Sequence, residues 1–169
     1  MRTISLRFAR RRCGNHYTGT QSYERSVRLS AALKGAKLAG AGTNDQHVLI
    51  PAVEEEDMQL ARKVINFVHD KKYIKRIEHK VSVLSDDAKG EALTDDSDGE
   101  GGDDTGGSKG SWDAAICGVA CAVKGVKMVV SGQASNAFCA TRPPGNHAGQ
   151  DLRAMGEPSS GFCLRNTAA

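Results

Sequence analysis

The chain has 169 residues, a net charge of +3, 39% hydrophobic and 5% aromatic side chains. That length suits one domain whose core is built from Ala, Val, Leu and Ile rather than from large rings. No apolar run reaches the ~18 residues of a membrane helix, no Gly-X-Y period or heptad array is present, and five cysteines without a secretory-type signal exclude a disulfide scaffold and make a reducing compartment the default.

The charge is unevenly spread. Residues 1–35 hold 8 Lys and Arg and 1 acid, a balance of +7; residues 36–84 come to +1, 85–111 to −7 and 112–169 to +2. The local blocks therefore carry more information about partners than the overall pI.

Residues 1–21 read as a basic, disordered N-terminus containing Arg2, Arg7, Arg10, Arg11 and Arg12. Such a stretch is compatible with a mitochondrial-type presequence, a nuclear-import or nucleic-acid patch, or a plain basic start. Ser22 to Gly40 predicts a helix capped by Ser22, with Val27, Leu29, Ala32, Leu33 and Ala36 on one apolar side. Asp45 to Ile50 predicts a buried strand before Pro51. Glu54 to Val68 predicts a helix with acids in its first turn, where the dipole favours them, and Met58, Ala61, Ile65 and Val68 on one face. A shorter helix is expected over Asp70 to Lys80, with Tyr73, Ile74 and Ile77 inward.

Residues 85–110 contain seven glycines and nine acids and read as a mobile acidic loop, because so little apolar surface cannot offset the entropy of ordering. The loop is either simply solvated or attracts basic tails such as those of histones. Ser111 to Gly132 predicts a closely packed helix with Ser111 as its N-cap, and Asn136 to Thr141 a short apolar strand. A Gly- and Pro-rich loop follows, and a further element is expected from Phe162 onward. This alternation is α/β grammar with a parallel sheet, in which sites lie at the carboxyl ends of strands. Arg142 to Phe162 is thereby the first place to look for function.

Most candidate chemistry has a plain structural reading. Cys117 and Cys121 share a helix face without a CxxC pair and read as core, as do Cys13, Cys139 and Cys163. His16, His47, His69 and His79 show no ligand spacing and read as surface or capping histidines. His147 differs, because Pro143, Pro144, Gly145 and Gly149 make a stiff, tightly turning loop able to hold a general base.

The stretch TRPPGNHAGQDLRAMGEPSSGFCLRN (141–166) resembles the TRPPGHHA…GFCLxNN block of the histone deacetylase family, of the class II and acetoin-utilisation type. DTGGSKGSWDAA (104–115) is similar to the family's DTxxSPGSWxAA segment, YERSVRLSAAL (23–33) to its PERPERLxAI helix, and residues 50–77 to the helical stretch between them. The resemblance covers residues 22–169 apart from the acidic loop. It implies an α/β domain of arginase–deacetylase type with a central parallel sheet. It also implies zinc-dependent hydrolysis of an acetyl-lysine amide, on histones or other proteins, and co-repressor-type protein partners. No membrane and no direct nucleic-acid contact are expected. The compartment implied is nucleus or cytoplasm, with the mitochondrion as the alternative that the arginines raise.

Carried over by position, the resemblance makes His147 the general base and acid of a histidine pair, with Asn146 where the first histidine stands. It places Asp104 at the substrate backbone, Gly161 and Phe162 at the tunnel wall and Arg28 at the inner end of the channel, with Cys163 following the ring in sequence as in the family. Asn146 donates a hydrogen bond but carries no proton, and losing an electrostatic stabiliser of that kind typically costs ~10²–10³ in rate. Thr167 replaces the second residue of an Asn-Asn pair, and Arg165 stands where an apolar side chain is usual, a costly position unless it reaches solvent. The family's zinc ligands, an Asp-x-His pair and a later Asp, have no counterpart here. The expectation is therefore a partial, truncated deacetylase domain that holds no metal by itself and is inactive alone. The alternative is a pseudo-enzyme or interaction module.

Overall fold

The computed structural model describes residues 3–7, 26–38, 47–50, 53–88, 90–93, 105–151 and 163–168. Its elements in chain order are β1 (Thr3–Arg7), α1 (Ser26–Leu38), β2 (His47–Ile50), α2 (Glu55–Val68), α3 (Lys71–Ser82), β3 (Glu91–Ala92), β4 (Gly106–Gly107), α4 (Ser111–Val130) and β5 (Asn136–Ala140). The sheet is parallel, as the alternation of elements predicts. β1 lies between β2 and β5, with Thr3 opposite both His47 and Asn136. Parallel strands need crossover connections; α1 supplies one between β1 and β2, and α2 to α4 supply the other between β2 and β5.

β1 corrects the expectation of an unstructured start. TISLR alternates apolar and polar residues, but over too few positions to stand out beside the arginines, and it becomes a strand by pairing on both sides. α1 also departs from its expected apolar side: Ala32 is exposed and Ala36 half-buried, while Ser22 lies outside the described residues.

α2, α3 and α4 form the core. Met58, Ala61 and Ile65 of α2 and Tyr73, Ile74, Ile77 and Val81 of α3 bury against Ile116, Cys117, Ala120 and Cys121 of α4. Small residues along α4 let these helices approach closely, and Cys117 and Cys121 are wholly buried, as core residues should be. Burial pushes the Cys121 thiol up to about 12, so it remains a protonated, unreactive side chain.

Cap chemistry sets the helix ends. Asp57 Oδ2 accepts from the Glu54 N–H at 3.2 Å at the start of α2, and the Asp70 carboxylate accepts from the Lys72 N–H at the start of α3. Gly110, not Ser111, is the N-cap of α4. Ser111 is already helical, and its hydroxyl accepts from the Ser108 N–H at 2.8 Å. Beyond the C-cap Ser131, Gly132 takes φ +73°, the left-handed turn that glycine adopts without strain.

The acidic loop is ordered at both ends, which corrects its reading as mobile throughout. Glu91 and Ala92 pair antiparallel with Gly107 and Gly106, and the Leu93 N–H donates to the Thr105 carbonyl at 3.1 Å. Leu93 is fully buried in the core cluster and anchors the pair, while Lys109 bridges to Asp86. One apolar side chain outweighs the surrounding composition because its burial stabilises by about 1.5–3 kcal/mol. Residues 94–104, the centre of the acidic stretch, lie outside the described residues. No regular element forms over 163–168, contrary to the element expected from Phe162. Among the described residues no helix is long and apolar enough to cross a membrane.

Candidate functional site

The loop 141–151 leaves the carboxyl end of β5, where a parallel sheet presents its site. It is held by the segment 163–168. The Thr167 N–H donates to the Gly145 carbonyl at 2.6 Å, the Thr167 hydroxyl donates to the same oxygen, and Asn166 Nδ2 donates to the Ala148 carbonyl at 2.9 Å. Gly145 is needed for this approach, since a Cβ there would overlap the Thr167 side chain and sit 2.8 Å from the Arg165 carbonyl oxygen.

At the tip, Asn146 and His147 have exposed side chains and share Cys163. The His147 N–H donates to Cys163 Sγ at 3.4 Å, and that thiol donates to Asn146 Oδ1 at 3.8 Å. The structure thus brings together His147, Asn146 and Cys163. Arg28 lies on α1 with its side chain outside the description, and Asp104, Gly161 and Phe162 lie outside the described residues.

His69 joins this assembly; of its two expected places, surface or cap, the structure gives the cap and not the surface. It is the C-cap of α2 but is only 3% exposed. Its Nε2 accepts from the Asn166 N–H at 2.9 Å, and its Nδ1 lies 3.3 Å from the Gln150 carbonyl, which also accepts from the Asp70 N–H. That pairing requires the neutral ring with its proton on Nδ1. Burial pushes His69 below the ordinary histidine value, and the nearby Arg165 charge acts in the same direction; the Gln150 carbonyl pulls the other way. A histidine at the junction of two helices was the only sequence signal.

Tyr73 was read as a core residue and is one, yet its hydroxyl also donates to the Leu164 carbonyl at 2.7 Å and fixes the same segment. Burial raises its pKa. Arg165 does not reach solvent. It is 2% exposed and its guanidinium carbon lies 3.5 Å from the centre of the Trp112 ring, a cation–π stack that offsets part of the desolvation. Among the described residues its Nε and Nη1 have no hydrogen-bond partner, a cost of roughly 1–3 kcal/mol for an unsatisfied buried group.

Among the described residues no three His, Cys, Asp or Glu side chains converge as a metal requires. Among the described residues around His147 the donors at hand are one amide and one thiol already bonded to each other, a poor set for zinc. The zinc that the sequence resemblance implies does not fit the residues described here.

A histone deacetylase domain model matches residues 22–169. The chain belongs to the histone deacetylase family. Its similarity to curated members is local: 42% identity over 59 residues to type-2 histone deacetylase 1 of Dictyostelium discoideum, covering 35% of this chain and 4% of that protein. Acetylpolyamine amidohydrolase of Mycoplana ramosa is 39% identical over 62 residues, covering 37% of this chain and 16% of that protein. The crystal structure of the HDA15 HD domain superposes with TM-score 0.64 at 24% identity, over 99% of this chain and 42% of that one. That likeness shows the arginase–deacetylase fold. The chain spans less than half of the solved domain and smaller fractions of the curated relatives. Deacetylases of this family are generally zinc-dependent, with acetylated proteins as substrates.

Proposed function

We propose that this chain carries the proton-handling loop of a lysine deacetylase domain and does not complete the hydrolytic site by itself. The observation that carries this reading is the clamped loop after β5, where 163–168 and His69 hold the backbone while His147 stays exposed at the tip. His147 is the general base and acid for water attack and amine departure on an acetyl-lysine amide. Asn146, whose amide oxygen accepts from Cys163, supplies at most a neutral hydrogen bond beside it. Arg28, Asp104, Gly161 and Phe162 are the channel and substrate contacts in this reading. Zinc supplies carbonyl polarisation in the family, through ligands other than those described here.

The purified chain is expected to show no turnover of an acetyl-lysine peptide and far less than one zinc per chain. Stoichiometric zinc with turnover abolished by His147→Ala would overturn the claim that the site is incomplete. An inert chain in which His147→Ala also leaves peptide binding unchanged favours the second reading, an interaction module. That second reading draws on exposed apolar side chains across α2, α4 and β5: Phe67 is 88% exposed, Val130 81% and Phe138 54%.

A further inference from the structure

A pocket of about 260 Å³ opens between α2, α3 and α4 on a face built from other elements than the His147 loop. Its floor is apolar and buried, with Ile74, Trp112 and Ile116, and Arg165 closes it from the 163–168 segment. Its rim is cationic, with exposed Arg62, Lys71 and Lys75; among the described residues Glu78 is the only carboxylate in the lining. Arg62 is partly engaged by Asp113 at 3.7 Å. Glu78 acts on Arg165 only at longer range, since no ion pair joins them among the described residues. Two lining residues carry buried donors that find no partner among the described residues: Arg165 at Nε and Nη1, and Trp112 at Nε1. A guanidinium stacked on an indole, buried and unsatisfied at the back of a pocket with a positive rim, lacks the counter-charge that such groups ordinarily have.

We propose that this pocket binds a small phosphate-bearing anion. Among the described residues the lining has four cationic side chains against one carboxylate, with Asp113 beside Arg62, a positive balance that suits a doubly charged group better than a single carboxylate. The volume admits a phosphate monoester with a short organic portion against Trp112. Burial pushes the Arg165 guanidinium down to about 9, so it still carries its charge at neutral pH. Occupancy strengthens the hold of 163–168 on the helices, because Arg165 sits between Leu164, bonded by Tyr73, and Asn166, bonded by His69.

The test is a thermal melt and calorimetric titration of the full chain with inorganic phosphate, against chloride at equal ionic strength. Glycerol 3-phosphate and acetate are the comparison ligands. Saturable stabilisation by phosphate is expected, with affinity lowered about tenfold in Arg165→Met, which keeps an apolar body on Trp112. Because that variant alters a buried position, Lys75→Gln at the exposed rim is the second probe. It is expected to weaken phosphate about threefold with an unchanged melt in the absence of ligand. Tighter binding of glycerol 3-phosphate than of phosphate identifies an organic ester as the source, and the reverse order identifies the inorganic ion. The proposal is overturned by stabilisation no greater than chloride gives, by acetate matching phosphate, or by affinity unchanged in both variants.

Discussion

His69 and Arg165 are the two buried polar residues whose positions most affect the loop bearing His147. Both act through the segment 163–168: His69 accepts the Asn166 N–H, and Arg165 stacks on Trp112 from the neighbouring position. The neutral state of His69 has a consequence for stability. Its folded pKa lies below the unfolded value of ~6.5, so the unfolded chain binds the extra proton first as pH falls. The contribution of His69 is therefore complete above pH ~6.5 and is lost as pH falls through that value toward the lower folded one. The melting temperature of the wild type is expected to fall more steeply from pH ~7.5 to ~5.5 than that of His69→Gln. Equal slopes would remove His69 as the origin of acid sensitivity. None of this was legible from composition, since a histidine between two helices has the same sequence context whether it is exposed or buried. The place of His147 on a tightly turning loop was legible, because two prolines and two glycines surround it in the sequence.

At the scale of elements, α2 and α4 are joined on one side by apolar packing and on the other by charge. Asp57 is buried on α2 and meets Lys124 at 3.4 Å and Lys127 at 3.3 Å from α4, besides its cap bond to Glu54. Burial alone would raise its pKa; the Glu54 N–H and the two lysines outweigh it and hold the carboxyl below the usual range. Its contribution is present above pH ~3.9 and lost as pH falls below that value, a window separate from that of His69. Asp57→Ala is expected to cost about 1–3 kcal/mol in chemical denaturation at neutral pH, by removing both the cap acceptor of the Glu54 N–H and the buried carboxylate that Lys124 and Lys127 share. A loss indistinguishable from zero would show that the cross-helix charges only ornament the apolar contact. The acids at the start of α2 were readable as dipole partners, and Glu55 and Glu56 fit that role. That Asp57 turns inward to a second helix depends on where α4 lies, and its position in the first turn gives no hint of this.

Over the whole molecule, the buried cluster of α2, α3 and α4 coexists with an outer surface that leaves large apolar side chains uncovered. Val126 is 62% exposed and Val130 81% on α4, and Phe138 of β5 is 54% exposed. Together with Ala122, Gly125, Val129, Ala137 and Cys139, two of these valines line a shallow apolar hollow. Contiguous apolar surface of this kind promotes association. Phe67→Lys combined with Val130→Glu is expected to raise the soluble fraction of the purified chain without lowering its melting temperature, read by light scattering and calorimetry. A drop in melting temperature would show that these residues support the fold rather than merely cover its surface.

What the amino-acid sequence determined by itself is local or motif-borne. The 3.6-residue spacing of α2, α3 and α4 follows from each segment's own apolar stripe, and the family resemblance places His147 and Asn146 on one loop. What only the tertiary structure decided depends on partners distant in the chain. TISLR becomes the middle strand because residues 47–50 and 136–140 flank it. Leu93 orders an otherwise acidic stretch because the core has room for it. His69 and Arg165 acquire their roles from contacts with Asn166 and Trp112, 97 residues along the chain in the first case. Periodicity reports how a segment meets an apolar surface; it carries no record of which polar group another segment brings to meet it.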